Sequence, residues 1–252
     1  MHLKTNPAKF TVLLIGLLFF TSLHCQEDKQ KPMRELASAI KTVGLKPLAM
    51  HSSKAYDANL DANLYIIGWS RSDNLAYLVK TGPEAADEEI YVLIIQNLVT
   101  DSVYVNEVLR MPMATDIDAL WDKHSTDIRP KLKKHDIERT NSELSHFPGV
   151  FGRFRDTVLE IEQQYKRGED PMRSYQGVSH CSLILRQNGS QSKTVDKREF
   201  KYYPLAVDVA GYVKSPFSDR IAIIVRMINM GWEGPPNSSS MYVVGAGIGS
   251  KF

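Results

Sequence analysis

The sequence predicts an α+β fold: two antiparallel, meander-like β regions, blade-like or packed as a sandwich, with a helical insertion at about residues 115–167. Two observations support this prediction. Short aliphatic and aromatic runs, separated by turns of Asp, Asn, Gly and Pro, occur on both sides of the middle of the chain. The middle itself carries apolar residues at helical spacing. A signal peptide precedes the fold.

Residues 1–25 have the layout of a secretory signal peptide. Lys4 and Lys9 give a positive start, residues 10–20 form an apolar run, and the chain turns polar at Gln26. The run is too short to cross a bilayer comfortably as a permanent helix. We therefore expect export to the periplasm or cell envelope.

Cys25 closes this apolar stretch, at the position where a bacterial lipoprotein carries its acylated cysteine. The preceding Ser22-Leu23-His24 departs from the usual order of Leu, a small residue, then Gly or Ala. Two alternatives follow: lipidation of Cys25 and attachment to the membrane, or ordinary cleavage nearby. A single acyl chain holds a protein only marginally, so stable anchoring needs further chains.

Removing these 25 of the 252 residues leaves 227, which we divide into a tether at 26–32 and a single domain at 33–252. The whole chain has 31 Lys and Arg against 29 Asp and Glu, and both signal-peptide lysines are lost on cleavage. The mature balance of 29 against 29 argues against a nucleic-acid partner, which needs an excess of basic residues.

The elements before the insertion are one helix and four strands. Met33, Leu36 and Ile40 fall at helical spacing before a stop at Gly44. Turns of Asp, Asn, Gly and Pro then separate the strands of an antiparallel meander. These strands are predicted at 64–69, 75–80, 90–98 and 103–109, the third being internal because it is apolar on both faces.

The insertion is predicted to hold two helices. The first has an apolar face from Ile117 to Leu132, a cap at Thr115 or Asp116, and Pro130 as a kink or as part of a second start near Asp127. The second helix is predicted from apolar residues at 3.6-residue spacing, and it would end at Gly168. The residues of this stripe are Phe151, Phe154, Val158, Ile161 and Tyr165.

Strands resume after residue 176. Asn188-Gly189 is a two-residue hairpin signal between two of them. The predicted strands of this second region are 183–186, 194–203, 207–214, 221–228 and 241–248.

The two β regions echo each other. Gly68-Trp69-Ser70 leads through Ser72-Asp73-Asn74 into an apolar strand, and Gly211-Tyr212 leads through Ser218-Asp219-Arg220 into another. This predicts two blade-like meanders packed together, too few for a propeller. Duplication is one explanation, and the general similarity of hairpins with an Asp turn is the other.

Segments 211–225, 231–235 and 242–245 resemble a family of uncharacterised bacterial predicted secreted proteins, and Gly68-Trp-Ser70 and Ala76-Tyr77 look similar as well. The resemblance implies export and a shared fold. The family has no established activity, so it implies no catalytic residue.

Trp232 and Glu233 are the candidate binding residues. With Gly234, Pro235 and Pro236 they form a rigid turn between two strands, and loops on a stiff scaffold are common binding sites. The alternative is a corner that buries Trp232. A second candidate, the pair His180-Cys181, is predicted to be structural, because neighbours on a strand point to opposite faces.

The function predicted from the sequence is that of an exported cell-envelope protein, lipid-anchored if Cys25 is acylated, with a non-catalytic binding or structural role. Its partner would be an unidentified macromolecule or small ligand. No catalytic residue, metal ligand or cofactor site is expected. The alternative is a secreted hydrolase whose acid and base meet only in the fold.

Overall fold

The computed structural model describes residues 41–42, 63–81, 88–113, 115–151, 157–231 and 237–248. In these ranges the chain forms three antiparallel sheets and one helix, α1 (Ile117–Lys134). The predicted signal peptide, tether and helix near residue 33 lie outside the described residues. No helix of the described part is long and apolar enough to cross a membrane.

The front sheet contains the predicted first meander. Its strands, in spatial order, are β1 (Lys41–Thr42), β2 (Asn63–Trp69), β3 (Asn74–Thr81), β4 (Glu88–Asn97) and β5 (Val103–Pro112). The short strand β6 (Glu138–Arg139) also pairs with β2. As predicted, β4 is internal, because it lies between β3 and β5.

The other two sheets are built from the second half of the chain. The central sheet has the order β14 (Ser238–Gly247), β13 (Arg220–Asn229), β12 (Ala206–Lys214) and β7 (Leu144–Ser145). The back sheet has the order β11 (Gln191–Glu199), β10 (Gln176–Gln187), β9 (Thr157–Glu169) and β8 (Gly149–Phe151).

These elements stack in four layers: helix, front sheet, central sheet and back sheet. Leu120 and Trp121 of α1 pack on the front sheet, whose other face packs on the central sheet. In β13, Ala222 and Ile224 belong to the core between the front and central sheets. Ile223 belongs to the core between the central and back sheets. A strand covered on both faces must be apolar on both, and this explains the continuous run in β13.

The first predicted helix is confirmed, including its cap. The Asp116 carboxylate accepts a hydrogen bond from the Ala119 amide at 2.8 Å. The helix continues through Pro130, so the second start near Asp127 is wrong. Burial of Ile128 and Leu132 on either side of the proline offsets its cost, about 3 kcal/mol in a helix interior.

The second predicted helix is wrong, because residues 157–169 form the strand β9. Leu159 is buried against the central sheet, whereas Val158 is 37% and Tyr165 39% exposed. The stripe at 3.6-residue spacing is therefore not a buried face. Pairing with β10 and β-branched residues such as Thr157 and Val158 favour the strand. The helical part of the insertion ends at Lys134.

The two echoing turns lie against each other in the structure. Ser70 N donates to Asn74 O across one turn, and Ser215 N donates to Arg220 O across the other, at 2.8 and 2.9 Å. The Ser218 hydroxyl and the Arg220 guanidinium both reach the Asp73 carboxylate. The equivalent turns of the two meanders thus help to hold the front and central sheets together.

The backbones of these two sheets approach closely at Gly245. A Cβ at this position would lie 1.9 Å from the Leu98 carbonyl oxygen and 2.6 Å from its carbon. Those atoms belong to the backbone, which cannot give way as a flexible side chain could. Any larger residue here must push the sheets apart.

We therefore predict that Gly245→Ala destabilises the protein by about 3 kcal/mol, the upper end of the range for overpacking. Denaturant unfolding measures the difference. Gly247→Ala is the matched control, because the nearest atom to a Cβ there is 3.6 Å away, an ordinary contact. Equal stability of the two variants would contradict this account of the sheet contact.

Candidate functional site

A cleft of about 590 Å³ opens where β9 of the back sheet faces β12 of the central sheet. We call it the edge cleft. Its lining combines apolar residues with charged ones of both signs. The charged and polar lining residues are His146, Glu160, Glu162, Gln163, Arg186, Asp208 and Arg226.

Asp208 and Arg226 form the buried polar part of the wall. They are directly opposite each other on β12 and β13, and only 7% and 4% of their surfaces are exposed. Burial lowers the pKa of the Arg226 guanidinium, and the negative charge of Asp208 opposes that shift. The pair keeps two opposite charges within a strongly desolvated wall.

The Asp208 carboxylate also links the two sheets. Its Oδ1 accepts hydrogen bonds from Gln163 Nε2 of the back sheet at 3.0 Å and from the Val209 amide at 2.8 Å. Asp208 is therefore oriented by both walls of the cleft.

Glu162 and Arg186 form a second charged pair, nearer to solvent. Arg186 Nε donates to Glu162 Oε2 at 3.1 Å, and Gln164 Nε2 donates to Glu162 Oε1 at 2.6 Å. The Arg186 hydrogen bond, helped by that of Gln164, lowers the pKa of the Glu162 carboxyl. Glu162 is thus held as an anion and an acceptor.

The segment between β7 and β8 closes one end of the cleft. His146 Nδ1 lies 3.1 Å from the Ala210 carbonyl oxygen. A carbonyl can only accept, so Nδ1 carries a proton and donates it in this contact. The Phe147 ring packs on Tyr212, with 4.6 Å between centroids.

This arrangement can hold a ligand that carries both donors and acceptors. Asp208 and Glu162 are hydrogen-bonded carboxylates that accept, while Arg186 and Arg226 are cations that donate. Among the described residues no three His, Cys, Asp or Glu side chains are grouped so as to bind a metal ion. The edge cleft thus offers a ligand charged groups of both signs and groups that can form hydrogen bonds.

The binding and lipidation candidates from the sequence are not tested by this structure. Trp232, Glu233 and Cys25 lie outside the described residues, so their proposed roles stay predictions. Sequence reasoning missed Asp208 and Arg226. The signal available was a charged residue inside each of two apolar strands, Val207-Asp-Val209 and Val225-Arg-Met227.

The surroundings of Cys181 agree with the prediction that this cysteine has a structural role. The residue is 1% exposed, and burial, with a smaller effect of Asp196, raises the pKa of its thiol to about 11. The adjacent His180 is half-buried, and its Nδ1 contacts Ser179 Oγ at 3.0 Å. The thiol is therefore protonated at neutral pH and poorly placed as a nucleophile.

The chain matches no protein-family model, and no curated protein or solved structure shows a significant similarity to it.

We predict that Cys181 reacts with iodoacetamide at pH 8 more than about a hundredfold more slowly than an unperturbed thiol, because only the thiolate reacts. Peptide-resolved mass spectrometry separates it from Cys25. The pKa of the Cys181 thiol is about 11 in the folded protein, against an ordinary value of 9.0. The contribution of the protonated thiol to the free energy of unfolding is therefore complete below pH 9 and is lost as the pH rises towards 11. Cys181→Ala should flatten the fall in stability over this interval. Rapid alkylation of the native protein would contradict the assignment.

Proposed function

We propose that this protein is an exported, non-catalytic protein of the cell envelope that binds a small polar ligand in the edge cleft. The observation that carries the proposal is the buried pair of Asp208 and Arg226 in the cleft wall, 7% and 4% exposed. The signal-peptide pattern of residues 1–25 supports the location.

A buried charge pair is a poor way to stabilise a fold. Desolvation of the two ions cancels much of their attraction, and well-packed apolar residues in their place are often as stable or more so. The neighbours of Asp208 are valines, so this strand could have stayed apolar. Recognition of a polar ligand explains why the wall of the edge cleft carries Asp208 and Arg226.

The charges of both signs define the ligand class. Carboxylates at Asp208 and Glu162 suit donor groups, and the guanidinium groups of Arg186 and Arg226 suit acceptor or anionic groups. A small molecule with both kinds of group, such as an amino acid or a polyol acid, satisfies the cleft best.

The lowered pKa of Glu162 favours binding over hydrolysis. A general acid at neutral pH needs a raised pKa, whereas the pKa of Glu162 is lowered by its bond to Arg186. The edge cleft does bring an acid and His146 into one lining, as the hydrolase alternative requires. The hydrolase alternative is therefore tested below by assaying the wild-type protein for hydrolysis.

We predict that Asp208→Asn abolishes ligand binding while preserving the fold. An asparagine side chain can still accept from Gln163 and Val209 through its Oδ1, but it lacks the charge. A panel of amino acids, polyol acids, diamines and sugars is screened by thermal unfolding. At least one compound should raise the melting temperature of the wild type, and of the exposed control Asp118→Asn, but not of Asp208→Asn.

Equal shifts in all three proteins would contradict a site at Asp208. Turnover of chromogenic ester, phosphate-ester or glycoside substrates by the wild type, lost in His146→Gln, would establish the hydrolase alternative.

We further predict that the full chain expressed in a bacterium is recovered from the envelope without residues 1–24 or 1–25. Mass spectrometry of the mature N-terminus decides between the two forms of attachment. An acylated Cys25 means a lipid anchor, and an unmodified terminus at or beyond Gln26 means a released protein. An intact chain beginning at Met1 in the cytosol would overturn the proposed location.

A further inference from the structure

A second cleft, of about 380 Å³, lies at the opposite edge of the central sheet, at the end of β14. We call it the turn cleft. The start of β11, the 99–101 turn and the first residue of β13 complete its wall. Its lining residues are Val99, Asp101, Arg220, the stretch 193–195 and the stretch 245–248.

Two cations in this cleft are held in place by the fold. Lys193 Nζ donates to the Gly247 carbonyl oxygen. Arg220 Nη1 donates to the Leu98 carbonyl at 2.7 Å, and its Nε lies 3.4 Å from Asp73 Oδ2. Neither side chain needs to be ordered by a ligand, so binding does not have to overcome the entropy of fixing them.

The two cations converge on one point. The Cβ position of Gly247 lies 3.6 Å from Arg220 Nη2 and 4.0 Å from Lys193 Nζ. Because residue 247 is glycine, it places no side chain of its own in the space between these nitrogens. The fold therefore brings two positive groups to a shared open space in a partly buried cleft.

We infer that the turn cleft binds an oxyanion, either a phosphate or a carboxylate group, between Lys193 and Arg220 above Gly247. A guanidinium and an ammonium are the side chains that bind such groups through charge-assisted hydrogen bonds. An anion at this point would also reduce the repulsion between the two cations. The site is separate from the edge cleft and does not depend on the function proposed for it.

The electrostatics of Lys193 agree with this geometry. Burial lowers the pKa of its ammonium, and the positive charge of Arg220 lowers it further. Two acids near these cations, Asp73 and Asp101, also accept other hydrogen bonds. Asp73 accepts from Ser218, and Asp101 Oδ1 accepts from the Gly245 amide at 2.8 Å and from Gln96 Nε2 at 3.2 Å.

The test is an NMR titration of the exported protein with sodium phosphate and, separately, sodium acetate, each at constant ionic strength set with sodium chloride. Saturable shifts of the Gly247 and Ile248 amides are expected with at least one of the two anions. Saturation with phosphate assigns a phosphate group to the site, and saturation with acetate assigns a carboxylate. No saturable shift with either anion overturns the inference.

Two variants locate the site. Gly247→Ala places a methyl group between the two nitrogens with only ordinary contacts, so it should block binding without unfolding the protein. Lys193→Gln removes one charge. Each should weaken anion binding by at least about tenfold, the effect of losing one charge-assisted hydrogen bond.

Lys197→Gln is the matched control, because it removes the same charge from an exposed position on the same strand. It should leave the affinity unchanged. Equal weakening by Lys197→Gln and Lys193→Gln would mean general attraction by net charge and would overturn the site. Undiminished binding by Gly247→Ala would do the same.

Discussion

The close approach of Leu98 and Gly245 is the contact on which the arrangement of the front and central sheets depends. Only a glycine leaves room for the Leu98 carbonyl, 1.9 Å from where a Cβ would lie. Gln96 completes the joint: it accepts from the Tyr77 hydroxyl at 2.9 Å and donates to the Val243 carbonyl at 3.0 Å. Apolar packing alone would let two sheets slide, whereas directional bonds to the backbone fix their register.

The segment that follows the helix contributes one strand to each of the three sheets. Between residues 138 and 151 it contributes β6 to the front sheet, β7 to the central sheet and β8 to the back sheet. The turn at His146 and Phe147 joins the last two of these strands and also closes the edge cleft. The same turn therefore connects the central sheet to the back sheet and shapes the edge cleft between them.

Most of the strands could be predicted because their signals are local. Asn188 and Gly189, with φ of 51° and 69°, adopt the left-handed conformation that an Asn-Gly hairpin implies. β9 could not be predicted in this way, because Val158, Ile161 and Tyr165 fall at helical spacing by coincidence. Only pairing with β10 and burial of Leu159 under the central sheet decide its conformation, and both are tertiary effects.

The edge cleft was beyond prediction for a related reason. Asp208 and Arg226 are 18 residues apart, and they face each other only in the register that β12 and β13 adopt, with an irregularity between Val209 and Gly211. A shift of one residue would turn a side chain to the other face of the sheet. Trp232 and Glu233, chosen for their local rigidity, stay a prediction on a segment outside the described residues.

Strand β13 contributes a cation to each of the two clefts. Its apolar run, Ile221 to Val225, is completely buried, and an arginine stands at each end. A guanidinium cannot be left in an apolar core without partners, so each must be met by an acid or a polar opening. Arg226 is placed opposite Asp208 in the edge cleft, and Arg220 contacts Asp73 beside the turn cleft. The sequence that makes this strand the centre of the core therefore also places a cation in each cleft.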